Sequence, residues 1–263
     1  MNDTTEPGAA AVARAYAAEV TAELDTVIGG ALSAAYLHGS AALGGWTAAR
    51  SDVDILFVAS DDLSAAAAAR ASNALISAAD GCPGEGGLEC SVVTASAAAR
   101  PRPPWPFVLH LGVRDGKQVM YSGRDRAGDG DLHMHYAVCR AAGGTLTGPP
   151  PETAIGVVDR PVILGYLADE LAWGLANASE SYAVLNACRG LVYLRHGKLV
   201  GKVAGGLAAL EDGSGPAEVV RRALEQQVAA PERTSGPDAV AFVEQVAAAL
   251  TAAAAAPAES PPG

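Results

Sequence analysis

The sequence predicts an α/β (α+β) protein, with a mixed sheet flanked by helices in the N-terminal part and an α-helical bundle after it. Three observations carry this. Short apolar runs at 34–38, 53–59 and 88–94 alternate with segments of helical spacing, an order that suits a sheet with helices packed on it. The run Gly148-Pro149-Pro150-Pro151 then breaks the pattern. Beyond it the composition turns helical throughout. At 263 residues the chain is long enough for two cores. The domains are set at 1–150 and 151–256, with a polar, Pro-rich tail at 257–263 expected to be disordered.

The elements follow in order. The first eight residues read as disordered. Val12, Tyr16, Val20 and Leu24 stand four apart, which predicts an amphipathic helix over 9–28, ended by Gly29-Gly30. A strand over 34–38 follows, then a second over 53–59. Asp61-Asp62 are expected to cap a helix that runs to 79. A third strand spans 88–94. Trp105 sits in the Pro-rich stretch 101–106, where it either lines a cleft or anchors packing. A helix is read over 131–140. Its His133 and His135, at i and i+2, face nearly opposite ways and cannot chelate together. His38 reads as strand packing. Helices at 159–176, 181–196, 203–211, 217–228 and 238–255 complete a small bundle.

The chemistry concentrates between residues 37 and 58, L-H-G-S-A-A-L-G-G-W-T-A-A-R-S-D-V-D-I-L-F-V. Gly39-Ser40 leave the first strand, and Asp52 and Asp54 open the second. Strand positions i and i+2 share a face. Two carboxylates on one face repel unless a cation lies between them, and the hard cation that suits carboxylates with phosphates is Mg²⁺. Gly39 lets a ligand approach the backbone, and Ser40 can donate to a phosphate oxygen. A helix starting there would also favour an anion. Glu89, early in the third strand, can add a third carboxylate as metal ligand or general base. Together these residues describe nucleotide transfer.

Charge narrows the partners. The chain carries 29 acidic and 18 basic residues, a net charge of -11. Such a field repels nucleic acid backbones and attracts cations. A cationic small molecule is therefore expected as acceptor, rather than DNA or tRNA. The four cysteines lack C-x-x-C spacing and read as free thiols of a reducing compartment. The acidic start M-N-D-T-T-E-P-G lacks the basic region of a signal peptide, and the Ala run at 247–256 is too short and weakly hydrophobic to span a membrane. A cytoplasmic monomer without membrane partners is expected.

An apolar strand, G-S, roughly a dozen residues and then D-h-D-h resemble the signature of the DNA polymerase beta-like nucleotidyltransferases. G-S-A-x-x-G-G with S-D-V-D resembles, more narrowly, the aminoglycoside (3'')(9) adenylyltransferases of streptomycin and spectinomycin resistance. L-E-C-S-V-V-T is similar to their strand with the catalytic base. D-L-H-M-H-Y-A-V-C-R with T-L-T-G-P is similar to the helix and turn that close their first domain. S-E-S-Y-A-V-L-N-A-C-R-G-L-V-Y-L-R-H-G-K-L-V-G-K resembles their D-E-R-N segment.

The resemblance implies a Mg²⁺-dependent enzyme that moves AMP from ATP to an antibiotic hydroxyl. It implies ATP bound between the domains, Gly39, Ser40 and Ser51 as nucleotide contacts, and Asp52, Asp54 and Glu89 as metal ligands. Glu89 would be the base, and Arg189 and Lys202 would meet the ATP phosphates. Two departures bear on the acceptor. Ser179 stands where the family has an aspartate, and the adjacent Glu180 either grips a cationic acceptor or serves with Ser179 at a helix start. Leu111-Gly112-Val113-Arg114 stand where the family has F-G-E-W, so the tryptophan is absent and a cation lies nearby. Spectinomycin is favoured over streptomycin. The alternatives are a different small-molecule or protein acceptor, and a non-catalytic nucleotide or drug sensor.

Overall fold

The computed structural model describes residues 8–114, 116–227 and 236–256. The disorder expected at the first residues and over 257–263 falls outside the described residues. The chain divides into two compact units, Met1–Val158 and Asp159–Gly263. The division lies a little past the Gly148-Pro151 break, because the segment after the break is still tied to the first unit. Gly156 N–H donates to Ala98 O at 2.8 Å, and Arg140 Nη1 donates to the Glu152 carbonyl at 2.9 Å.

The first unit runs α1 (Ala9–Val27), β1 (Leu32–Leu37), α2 (Gly39–Ala42), β2 (Asp52–Ala59), α3 (Ala65–Ala79), β3 (Gly87–Thr94), α4 (Ala95–Ala99), β4 (Leu109–Arg114), β5 (Lys117–Ser122), α5 (Leu132–Ala142), β6 (Gly144–Thr147) and α6 (Pro151–Ala154). Its strands form a mixed six-stranded sheet in the order β5-β4-β3-β2-β1-β6. The β2–α3–β3 crossover makes β2 and β3 parallel, and the other pairs are antiparallel.

One face of this sheet is the core. Ala13, Ala17, Val20 and Leu24 of α1 and Ala67, Ala71 and Leu75 of α3 pack against Val53, Ile55 and Phe57 of β2 and Leu88, Cys90 and Val92 of β3. Small alanines let both helices approach closely. The alternation of a strand sends the remaining residues of β2 and β3 to the other face. Tyr36 of β1 points there too, and its hydroxyl donates to Pro149 O at 2.8 Å.

The structure corrects the start of α3. Asp61-Asp62 do not cap it: Ser64 is the N-cap, extended, and its side chain accepts from Ala67 N–H. The Asp61 carboxylate instead accepts the Ser96 N–H of α4 at 2.9 Å. Strands β4, β5 and β6 went unread in the sequence. β5 is only partly buried, and β6 has four residues, so neither shows a clear hydrophobic period.

The second unit holds α7 (Arg160–Asn177), α8 (Glu180–His196), α9 (Lys202–Glu211), α10 (Ala217–Gln226) and α11 (Pro237–Ala255). α8 is buried on most sides and contacts each of the other four. At 19 residues and mean hydropathy 1.3, α11, which contains most of the Ala run judged too short, is by length and composition apolar enough to cross a membrane. It buries Ala239, Phe242, Val243, Val246 and Leu250 in the contact with α7 and α8, and exposes Glu244, Gln245 and Thr251. That is the pattern of a packed amphipathic helix.

Candidate active site

The sheet's second face collects the acids. Val53, Ile55 and Phe57 point into the core, so Asp52 and Asp54 point away from it. In β3, Leu88 and Cys90 point into the core, and Glu89 points with the aspartates. Parallel pairing sets Glu89 directly beside Asp54. The result is a cluster in which one oxygen from each of Asp52, Asp54 and Glu89 lies within 4.8 Å of the others.

The backbone around this cluster is closely fitted. His38 N–H donates to Asp54 O at 3.0 Å, and the Ser40 N–H reaches the Asp54 carboxylate. Between them Gly39 has φ +57°, and a Cβ there would sit 1.7 Å from Asp54 Oδ2. Conformation and space both require glycine. Trp46 is buried in the excursion, and its indole N–H donates to Asp52 O at 2.7 Å. Ser51 Oγ accepts the Thr47 N–H at 3.0 Å, which places this hydroxyl in the turn ahead of Asp52. The loop before β3 lies on the same segment, where a Cβ on Gly86 would come within 2.4 Å of Asp52 N.

Burial and mutual repulsion shape the electrostatics. Asp54 is 8% exposed, and its carboxyl is pushed well above the usual range, by burial first and then by Asp52 and Glu89. Glu89 is pushed up to about 7, by burial first and then by Asp52. Three acids held together in this way repel one another, and their oxygens lie close enough to share one divalent cation. All three donors are carboxylate oxygens, which fits Mg²⁺. Ser40 Oγ, one residue from the Gly39 turn, is buried and has no hydrogen-bond partner among the described residues.

Histidines frame the acids. His38 is 3% exposed, and its ring lies 4.8 Å from that of His135. His135 Nε2 stands 3.7 Å from Glu89 Oε1. Burial lowers the pKa of both. His133 turns instead to Trp105, ring to ring at 5.2 Å, so the two α5 histidines diverge as their spacing implies. Trp105 is a non-glycine residue at φ +62°. His110 of β4 contacts Ser91 at 2.9 Å and Asp129 at 3.4 Å.

The remaining candidates lie in the second unit. Arg189 is a half-buried part of α8, with Nε donating to Val200 O at 2.8 Å and Nη1 to Asn186 Oδ1 at 2.7 Å. Lys202 opens α9 with its Nζ 4.5 Å from the centre of the Tyr182 ring. Ser179 is the N-cap of α8 and accepts the Tyr182 N–H. Glu180 is 3% exposed. Its Oε1 accepts from Arg222 and its Oε2 from Gly236 N–H, both at 2.7 Å, so it is engaged inside the unit.

The structure therefore brings Asp52, Asp54, Glu89, Gly39 and Ser40 together. Ser51 adjoins them through the backbone of Asp52. The sequence reading missed His135 as a neighbour of Glu89 and Trp46 as the brace of β2. One signal was available: His38 has the parity of Tyr36 in β1 and so shares the acids' face. The site's fold also has a counterpart. No family model and no curated protein matches the chain. Among solved structures, the crystal structure of spectinomycin adenyltransferase AAD(9) from Enterococcus faecialis with ATP and spectinomycin is similar. It has a TM-score of 0.66 and 16% identity, over 90% of this chain and 98% of that one. At that identity the likeness shows a shared fold.

Proposed function

We propose that this chain is an O-adenylyltransferase that moves AMP from ATP to a hydroxyl of a cationic aminocyclitol or aminoglycoside, with spectinomycin preferred to streptomycin. The observation that carries this reading is the trio Asp52, Asp54 and Glu89, gathered within 4.8 Å beside the Gly39-Ser40 turn. The fold shared with a structure that holds ATP and spectinomycin supports it.

Asp52, Asp54 and Glu89 would hold Mg²⁺, which when bound supplies positive charge against the phosphates. The chain's own groups do the rest. Gly39 keeps the backbone open beside Asp54, and the buried Ser40 hydroxyl offers a donor to a phosphate oxygen. Glu89 takes the proton of the acceptor hydroxyl. The acceptor oxygen bonds to the α-phosphorus, the bond from that phosphorus to the bridging oxygen breaks, and pyrophosphate leaves with the electron pair. Arg189 and Lys202 are proposed phosphate contacts on the strength of their motif. The acceptor preference rests on β4, where Leu111-Gly112-Val113-Arg114 provide no aromatic ring and end in a cation.

Glu89→Gln tests the assignment. The account expects pyrophosphate release to fall by about 10²-fold or more while ATP binding persists. Full turnover in this variant would remove Glu89 as the base.

A further inference from the structure

In sequence His135 has no role, yet from α5 its ring reaches Glu89. Apart from the histidines, α5 buries largely apolar residues, Leu132, Met134, Tyr136, Ala137, Val138 and Cys139. An imidazole in such a place is usually bonded at both nitrogens. His135 is not: Nδ1 is buried without a hydrogen-bond partner among the described residues, and Nε2 faces Glu89 Oε1 at 3.7 Å. The His38 ring, 4.8 Å away and itself buried, limits how far the imidazole can turn.

We propose that His135 is a positioning residue for Glu89, donating its Nε2–H to one carboxylate oxygen so that the other is presented to the acceptor hydroxyl. The proposal rests on the adenylyl-transfer reading above. The tautomer follows from which nitrogen has an acceptor in reach: Nε2 faces Glu89 and Nδ1 faces none among the described residues. A neutral imidazole carries one N–H, and an orphaned buried donor is rarer than an orphaned acceptor. The proton therefore sits on Nε2, where Glu89 can accept it, and Nδ1 keeps its lone pair. At 3.7 Å the pair is longer than a hydrogen bond, and catalytic contacts of this kind often tighten only when substrate loads.

A neutral donor also suits its neighbours. A lysine or arginine in this place would compete with a metal cation for the carboxylate, whereas an uncharged N–H orients it and leaves its charge available. Outer hydrogen bonds of this kind fix the ligands of a metal site.

The experiment has two arms on the full chain. In steady-state kinetics, His135→Leu removes the donor and keeps apolar volume, and His135→Gln restores an N–H at similar reach. The expected result is a kcat lower by about 10- to 100-fold in His135→Leu, with KM for ATP and acceptor little changed and most of the loss recovered in His135→Gln. An unchanged kcat, or equal losses in both variants, overturns the proposal. In the second arm, long-range ¹H–¹⁵N spectra of ¹⁵N-histidine protein read the tautomer, with His135→Gln assigning the signals. The expected result is an Nε2–H form whose signals move in Glu89→Leu. An Nδ1–H form, or signals indifferent to Glu89→Leu, overturns the pairing. This arm needs no turnover. If wild type adenylylates nothing, the functional reading fails while the pairing is still decided.

Discussion

Gly39→Ala puts the closest contact of the site under test, and Gly44→Ala supplies its control. Both glycines have positive φ, +57° and +74°. A Cβ at Gly44 meets nothing within 4 Å, so that variant pays only for its backbone conformation, about 1 kcal/mol. At Gly39 the new carbon would lie 1.7 Å from Asp54 Oδ2 and 2.4 Å from its Cγ, far inside contact distance. Asp54 is buried, so relief requires its carboxylate to swing away from Asp52 and Glu89 or the turn to move. Overpacking of this kind costs about 1–3 kcal/mol more. Gly39→Ala should therefore lose roughly 2–4 kcal/mol in total, and its divalent-cation affinity should fall as the carboxylates separate. Urea unfolding of the two variants and calorimetric Mg²⁺ titration read both effects. If Gly39→Ala matches Gly44→Ala in stability and binds Mg²⁺ like wild type, the account of the turn is wrong.

Three further outcomes are expected. Glu89 is raised from 4.5 to about 7 and Asp54 is raised well above 3.8, so the folded chain without metal holds protons that the unfolded chain has released. Stability should be complete below about pH 4 and be lost as pH rises toward 7, on the order of 1–3 kcal/mol, with saturating Mg²⁺ reversing the loss. Urea midpoints in EDTA that rise with pH over this window would contradict the charge assignment. Trp46→Phe strips the donor from Asp52 O and should cost about 1–2 kcal/mol and weaken Mg²⁺ binding. Wild-type Mg²⁺ affinity in that variant would show that the indole does not brace the strand. Glu180→Ala leaves Arg222 and Gly236 without their acceptor and should lower stability by about 1–3 kcal/mol with the acceptor KM unchanged. A raised acceptor KM without loss of stability would return Glu180 to the acceptor site.

The fold and the clustering of the three acids in the candidate site were legible because both follow from strand parity. Asp52 and Asp54 at i and i+2 had to share a face, and the apolar residues alternating with them, Val53, Ile55 and Phe57, had to face the helices. Glu89 could be placed because one crossover separates its strand from theirs. What stayed hidden depends on contacts distant in sequence. His135 lies far along the chain from Glu89, and only the packing of α5 brings them together. Asp61 looked like a helix cap because it is the right residue type just ahead of an Ala-rich run. Ser64 took the cap, and Asp61 was drawn to Ser96 of α4. Glu180 had two readings in sequence, acceptor grip or helix-start acid. Its partners Arg222 and Gly236, supplied by the last part of the chain, bind it within its own unit.

The most direct test of the central claim is pyrophosphate release from Mg-ATP in the presence of spectinomycin, streptomycin and other aminoglycosides, with Asp54→Ala as control. The account predicts release that requires both an acceptor and Asp54, largest with spectinomycin. Release that persists in Asp54→Ala, or none with any acceptor while ATP still binds, would contradict it.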